Sequence, residues 1–107
     1  MHVTVTTTTG DPDQPLEVAR IAGEEILPWL RGIEGFAGLL LLSHEEEGRT
    51  LVVTFWESSE LAIAHLADRA EFRDRITSTV EVRVEDVADY ELMFADLGSS
   101  VARWPST

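Results

Sequence analysis

Apolar residues recur along this chain with more than one period, and each period predicts a different element. From His2 to Thr9 the β-branched residues Val3 and Val5 stand among threonines, which favours an extended strand that Gly10-Asp11-Pro12 ends. Asp13 is placed as an N-cap. Leu16, Ala19, Ala22, Ile26, Trp29 and Ile33 then follow at steps of three or four, the spacing of a helix with one buried stripe. Pro28 has no N–H to donate to the carbonyl four residues back, so this helix is expected to bend or loosen before Gly32. From Gly35 onward the pattern becomes two continuous apolar runs, one reaching Leu42 and one from Leu51 to Trp56, joined by an acidic turn containing Gly48.

The turn suggests a register for this hairpin. A three-residue loop, Glu46-Glu47-Gly48, would pair Glu45 with Arg49, Leu40 with Thr54 and Gly38 with Trp56. Phe36, Gly38, Leu40, Leu42, Val52, Thr54 and Trp56 would then share one face, and Ala37, Leu39, Leu41, Leu51, Val53 and Phe55 the other. Ser58 reads as the N-cap of a second helix, and the capping-box spacing of Asp68 and Glu71 predicts a break and restart through Phe72 and Ile76. Val80 to Phe94 is the last strand region, with residues 90–94 as its core. The order strand, helix, strand, strand, broken helix, strand predicts an α+β, ferredoxin-like βαββαβ domain over residues 1–95, followed by a C-terminal tail at 96–107. Its sheet would be four-stranded and antiparallel, with helices on one face. Both faces of the hairpin carry large aliphatic side chains, and one helix layer covers only one of them, so a homodimer is expected to hide the other.

Composition narrows the partners. The 107 residues suffice for one domain, and 20 acidic against 8 basic residues give a formal charge of −12, which opposes capture of nucleic acid or anionic membrane. The absence of cysteine excludes disulfides, thiolate metal sites and a cysteine nucleophile. No basic leader stands at the N-terminus and no run approaches the ~20 apolar residues of a membrane span, so a cytoplasmic protein is expected. His2, His44 and His65 lack zinc-site spacing, and Glu45, Glu46 and Glu47 sit in a turn where solvent is the natural partner. Neither a metal site nor a cofactor is expected, since phosphate-binding glycine loops are also absent. Arg69, Arg73 and Arg75 are read as offsetting neighbouring acids, with Arg73 placed to meet an anionic substrate at a pocket mouth.

Several stretches together carry a family resemblance. Ile26-Leu27-Pro28-Trp29-Leu30-Arg31, the Gly35-Phe36-Ala37-Gly38 lead into a leucine-rich strand, the glycine turn, and Val53-Thr54-Phe55-Trp56-Glu57-Ser58 followed by Glu60, Ala64 and His65 resemble the antibiotic-biosynthesis-monooxygenase-like family of the dimeric α/β-barrel superfamily. Phe72 and Tyr90-Glu91 complete the likeness, which covers nearly everything except the tail. It implies a homodimer with facing sheets that form a dimeric α/β barrel. Each subunit would hold a small hydrophobic or aromatic ligand between sheet and helices, in a pocket drawn from Trp29, Phe36, Trp56, Phe72 and Arg73.

The implied activity is that of a cofactor-independent monooxygenase acting on a small aromatic or polyketide-like substrate. Such an enzyme removes a phenolic or enolic proton so that the substrate carbanion itself reduces oxygen, and it must supply a base, an apolar cavity and oxyanion donors. His65 is the candidate base and Tyr90 a second catalytic candidate. The plainer readings are a half-buried histidine, and core aromatics at Trp56 and Tyr90 whose polar tips find partners. The chain departs from the haem-degrading members, having no asparagine, His65 at their helix-tryptophan position and Arg75 at their histidine position. It also departs from the polyketide oxygenases, having Val52 where they carry an asparagine. A non-catalytic ligand-binding or stress-associated protein is therefore the alternative.

Overall fold

The computed structural model describes residues 1–11, 19–64, 66–80 and 82–102, and the side chains at 22, 45, 72, 75, 76, 79 and 80 are outside that description. Strands β1 (His2–Thr9), β2 (Phe36–His44), β3 (Arg49–Trp56) and β4 (Arg83–Glu91) form one antiparallel sheet in the order β2-β3-β1-β4. Helices α1 (Leu27–Arg31), α2 (Ser59–Ala64) and α3 (Leu66–Val80) belong to the two connections, and the short α4 (Ser99–Ala102) follows β4. With β1 and β3 central and β2 and β4 at the edges, this is the expected ferredoxin-like arrangement. Asp13 and Leu16, the proposed start of the first helix, lie outside the described residues.

Pro28 shapes that first helix as anticipated. It sits in the opening turn of α1, where no intrahelical N–H is required, and the chain just before it widens into a π-helical stretch, Ala22–Ile26. The widened turn shifts the buried stripe, and among the described residues of this segment Ile21 and Leu30 are the most enclosed. Leu30, Trp56 and Ala62 form the core between sheet and helices, with Ile26, Trp29, Ile33, Phe36 and Leu39 packed against them.

The hairpin register differs from the expectation by one residue. His44 rather than Glu45 pairs with Arg49, so the loop holds four residues, a 3-10 turn at Glu45–Glu47 and Gly48 at φ 63°. Gly48 is pinned from below, because Gly10 N–H donates to its carbonyl at 2.9 Å. One extra loop residue reverses the faces of β2: Leu39 stands opposite Thr54, Leu41 opposite Val52, and Gly38 opposite Phe55. Leu39 and Leu41, not Leu40 and Leu42, therefore share the helix-covered face with Val52, Thr54 and Trp56. An irregularity between Phe36 and Gly38 then sets Phe36, rather than the expected Gly38, opposite Trp56 and keeps Phe36 on the Trp56 face.

Two further expectations are corrected. Helix α3 runs unbroken through Asp68 and Glu71, since no glycine or proline interrupts a segment already helical before them. Strand β4 stops at Glu91, because β1 begins at His2 and the ladder has no partner beyond the bond from Leu92 N–H to Met1 O, at 2.9 Å. Met93 and Phe94 thus leave the sheet and stand exposed. The Ser58 cap is as expected, its Oγ accepting Leu61 N–H at 3.2 Å.

Candidate functional site

The helix-covered face of β1 is polar. Alternation puts His2, Thr4, Thr6 and Thr8 on that face, and register sets His2 beside Trp56, Thr4 beside Thr54 and Thr8 beside Thr50. Thr4, Thr6, Thr8 and Thr50 are all buried. Two hydroxyls of this face find backbone acceptors on the neighbouring strand: Thr8 Oγ1 donates to Thr50 O at 3.3 Å, and Thr54 Oγ1 to Thr4 O at 3.4 Å. From β4 the same face receives Asp89, the register partner of Thr4, and Glu91, the partner of His2.

Trp56 is fully enclosed at the end of β3. Its indole N–H donates to Thr54 Oγ1 at 3.3 Å, Phe36 meets it edge-on with centroids 5.9 Å apart, and the Arg69 guanidinium carbon lies 4.6 Å from the ring centroid. A desolvated guanidinium over an indole is held by the ring's electron-rich face. Arg69 also donates from an η nitrogen to Ala62 O at 2.5 Å. Burial lowers the Arg69 pKa; the Asp89 charge opposes this and that of Arg73 adds to it.

Arg73 follows one turn later on α3. The Nε–H groups of Arg69 and Arg73 are both buried and donate to no partner among the described residues; the Arg73 contact to Asp74, at 3.9 Å, is too long for a hydrogen bond. Arg69, over the Trp56 ring, and Arg73 thus each keep a buried N–H with capacity to spare.

At the edge of the same face His2 Nε2 lies 3.0 Å from Asp89 Oδ1, and Thr4 Oγ1 donates to that oxygen at 2.9 Å. Burial alone would raise the Asp89 pKa; the hydrogen bonds from His2 and Thr4, with the charges of His2 and Arg69, outweigh it and leave the carboxyl below its usual range. The His2 side chain is 16% exposed and that of Asp89 63%, so this corner opens to solvent.

The residues singled out in the sequence separate accordingly. Trp56 and Phe36 are in contact, and Trp29 packs against the same cluster. Arg73 lies on the adjoining helix. Tyr90 is not brought to Trp56: it pairs with Val3, projects from the opposite face and is 57% exposed. His65 and the Phe72 side chain lie outside the description. His2, Thr4, Arg69 and Asp89 were not among the candidates; the regular alternation of β1 is the signal that could have brought His2 and Thr4 to the Trp56 face.

No family model and no curated protein matches this sequence. Solved structures do match its fold. A monooxygenase of Streptomyces coelicolor, ActVA-Orf6, in complex with nanaomycin D, is 18% identical with a TM-score of 0.69 and 92% of each chain covered. SnoaB, a cofactor-independent oxygenase of Streptomyces nogalater, is 15% identical with a TM-score of 0.61, covering 88% of this chain and 94% of its own. The haem degrader MhuD of Mycobacterium tuberculosis, with two haems in its active site, is 22% identical with a TM-score of 0.63, covering 92% of this chain and all of its own. At such identities the likeness speaks for architecture. The chain has the ferredoxin-like fold of the antibiotic-biosynthesis-monooxygenase-like structures.

Proposed function

We propose that this protein is a cofactor-independent, monooxygenase-like homodimer acting on a small aromatic or polyketide-like substrate. One observation carries the reading: a guanidinium, an imidazole and a carboxylate gather on the sheet face that holds the aromatic pair Trp56 and Phe36. An acidic aromatic substrate needs apolar surface for its rings, a proton acceptor, and a donor for the oxygen that becomes negative. Arg69 and Arg73 supply donors; Trp29 and Phe36 supply apolar surface. The reaction class balances without a bound redox group, because a substrate methylene becomes a carbonyl, one atom of dioxygen enters the product and the other leaves as water. The monooxygenase and cofactor-independent oxygenase among the fold's neighbours support the same class.

A second reading has one observation in its favour. Val52 lies on the helix-covered face opposite Thr6 and Leu41, an apolar side chain where the resemblance to polyketide oxygenases asks for an amide. Ligand binding without turnover is the corresponding function.

Oxygen uptake with anthrone decides between them. Turnover to anthraquinone by the native protein, insensitive to chelator and reduced about 10²–10³-fold in kcat/KM by Arg69→Met, is the expected result. Anthrone binding without uptake leaves the second reading. Neither binding nor uptake would remove both. Equal rates for native protein and His65→Ala would take His65 out of the mechanism.

A further inference from the structure

An ionised carboxylate only accepts hydrogen bonds, so the contact between Asp89 Oδ1 and His2 Nε2 places the imidazole hydrogen on Nε2. In the neutral ring Nδ1 then carries the lone pair, and Nδ1 makes no hydrogen bond among the described residues. Two carboxylates stand beside His2: Asp89 in contact, and Glu91 opposite it on β4. Trp56 is its partner on β3, and Arg69, stacked on that indole, feels the Asp89 charge from α3. An imidazole, the carboxylate it touches and a guanidinium thus gather at one corner, contributed by β1, β4 and α3.

We propose that His2 is the proton acceptor of this site and Asp89 the positioning residue that holds it as the Nε2–H tautomer. The substrate is a carbon or oxygen acid whose conjugate base is a delocalised enolate or phenolate; this substrate class rests on the oxygenase reading above. The substrate C–H or O–H bond breaks heterolytically, its electron pair stays on the substrate, and the proton forms an N–H bond at Nδ1. The resulting anion meets Arg69. No oxidant enters this half of the reaction.

The test separates proton removal from oxygen chemistry. In ¹⁵N-labelled native protein the imidazole nitrogen shifts of His2 report its tautomer; with anthrone in D₂O under argon, loss of the C10 proton signal reports carbanion formation. The expected results are the Nε2–H tautomer and accelerated exchange, slowed about 10²-fold or more in His2→Gln. Asp89→Asn is expected to shift the tautomer mixture and slow exchange less. An Nδ1–H tautomer in native protein, no acceleration by native protein, or equal exchange in a folded His2→Gln overturns the proposal. Exchange that persists without oxygen uptake in air sinks the oxygenase reading alone, and uptake undiminished in His2→Gln sinks the base alone.

Discussion

Asp89 shows how a single exposed carboxylate becomes tied to the fold. Its hydrogen bonds from His2 and Thr4 and the charge of Arg69 exist only when β1, β4 and α3 are assembled. The folded pKa is depressed, so between it and the unfolded value of about 3.9 the unfolded chain binds more protons and stability rises with pH. The contribution is complete above the ordinary carboxylate range and disappears as pH falls through the folded value. Because the side chain is 63% exposed, solvent screens it and the effect is small. Urea midpoints of native protein and Asp89→Asn, followed from neutral to strongly acidic pH, are expected to converge at the acid end. A difference that stays constant would remove Asp89 from the acid response.

Residue identity made the aromatic half of the site legible and hid the polar half. Trp56 and Phe36 stand in apolar runs and could only be core or pocket. His2 and Asp89 acquire meaning from strand register between the two ends of the chain, 87 positions apart, and no local pattern encodes that. Among the arginines the sequence singled out Arg73 for a substrate and left Arg69 to offset neighbouring acids; the stacking of Arg69 on the indole depends on where α3 crosses β3.

At the level of elements, composition determined which segments are strands, while a single loop residue determined which side chains face each other. The three-residue loop was a reasonable expectation from Gly48, and the contact of that loop with Gly10 at the end of β1 selects the longer form. Gly48→Ala tests this directly. A left-handed alanine costs about 1–2 kcal/mol, and its Cβ would overlap the Gly10 carbonyl. The sum is expected to exceed about 2 kcal/mol, lowering Tm by roughly 10 °C for a domain of this size. Gly23→Ala is the counterpart, since a Cβ there meets nothing within 4 Å and helical alanine gains about 0.5–1 kcal/mol over glycine. Thermal melts should therefore move in opposite directions. An unchanged Tm in Gly48→Ala would mean that the loop re-forms with the shorter register.

For the whole molecule, the corrected register exchanges the leucines between faces without emptying either, which is why the expectation of self-association survives the error beneath it. The face away from the helices carries Leu40, Leu42, Leu51, Val53 and Phe55, together with Val5 and Tyr90. In the single chain Leu42 is 52% exposed, and beyond β4 Met93 and Phe94 are 86% and 85% exposed. Each large apolar side chain fully buried contributes roughly 1.5–3 kcal/mol against an association cost of about 4–15 kcal/mol, so several must be covered together before a dimer persists. A second copy of this sheet would provide such a cover. Sedimentation equilibrium is expected to show a dimer at micromolar concentration and a shift toward monomer in a folded Leu42→Glu. Since each chain carries −12, bringing two together also sets like charges against the apolar gain. Added salt screens that repulsion and leaves the apolar term intact, so dissociation should weaken between 20 and 300 mM NaCl, opposite to an interface held by ion pairs. A native protein that remains monomeric across that range would leave the open face without this partner.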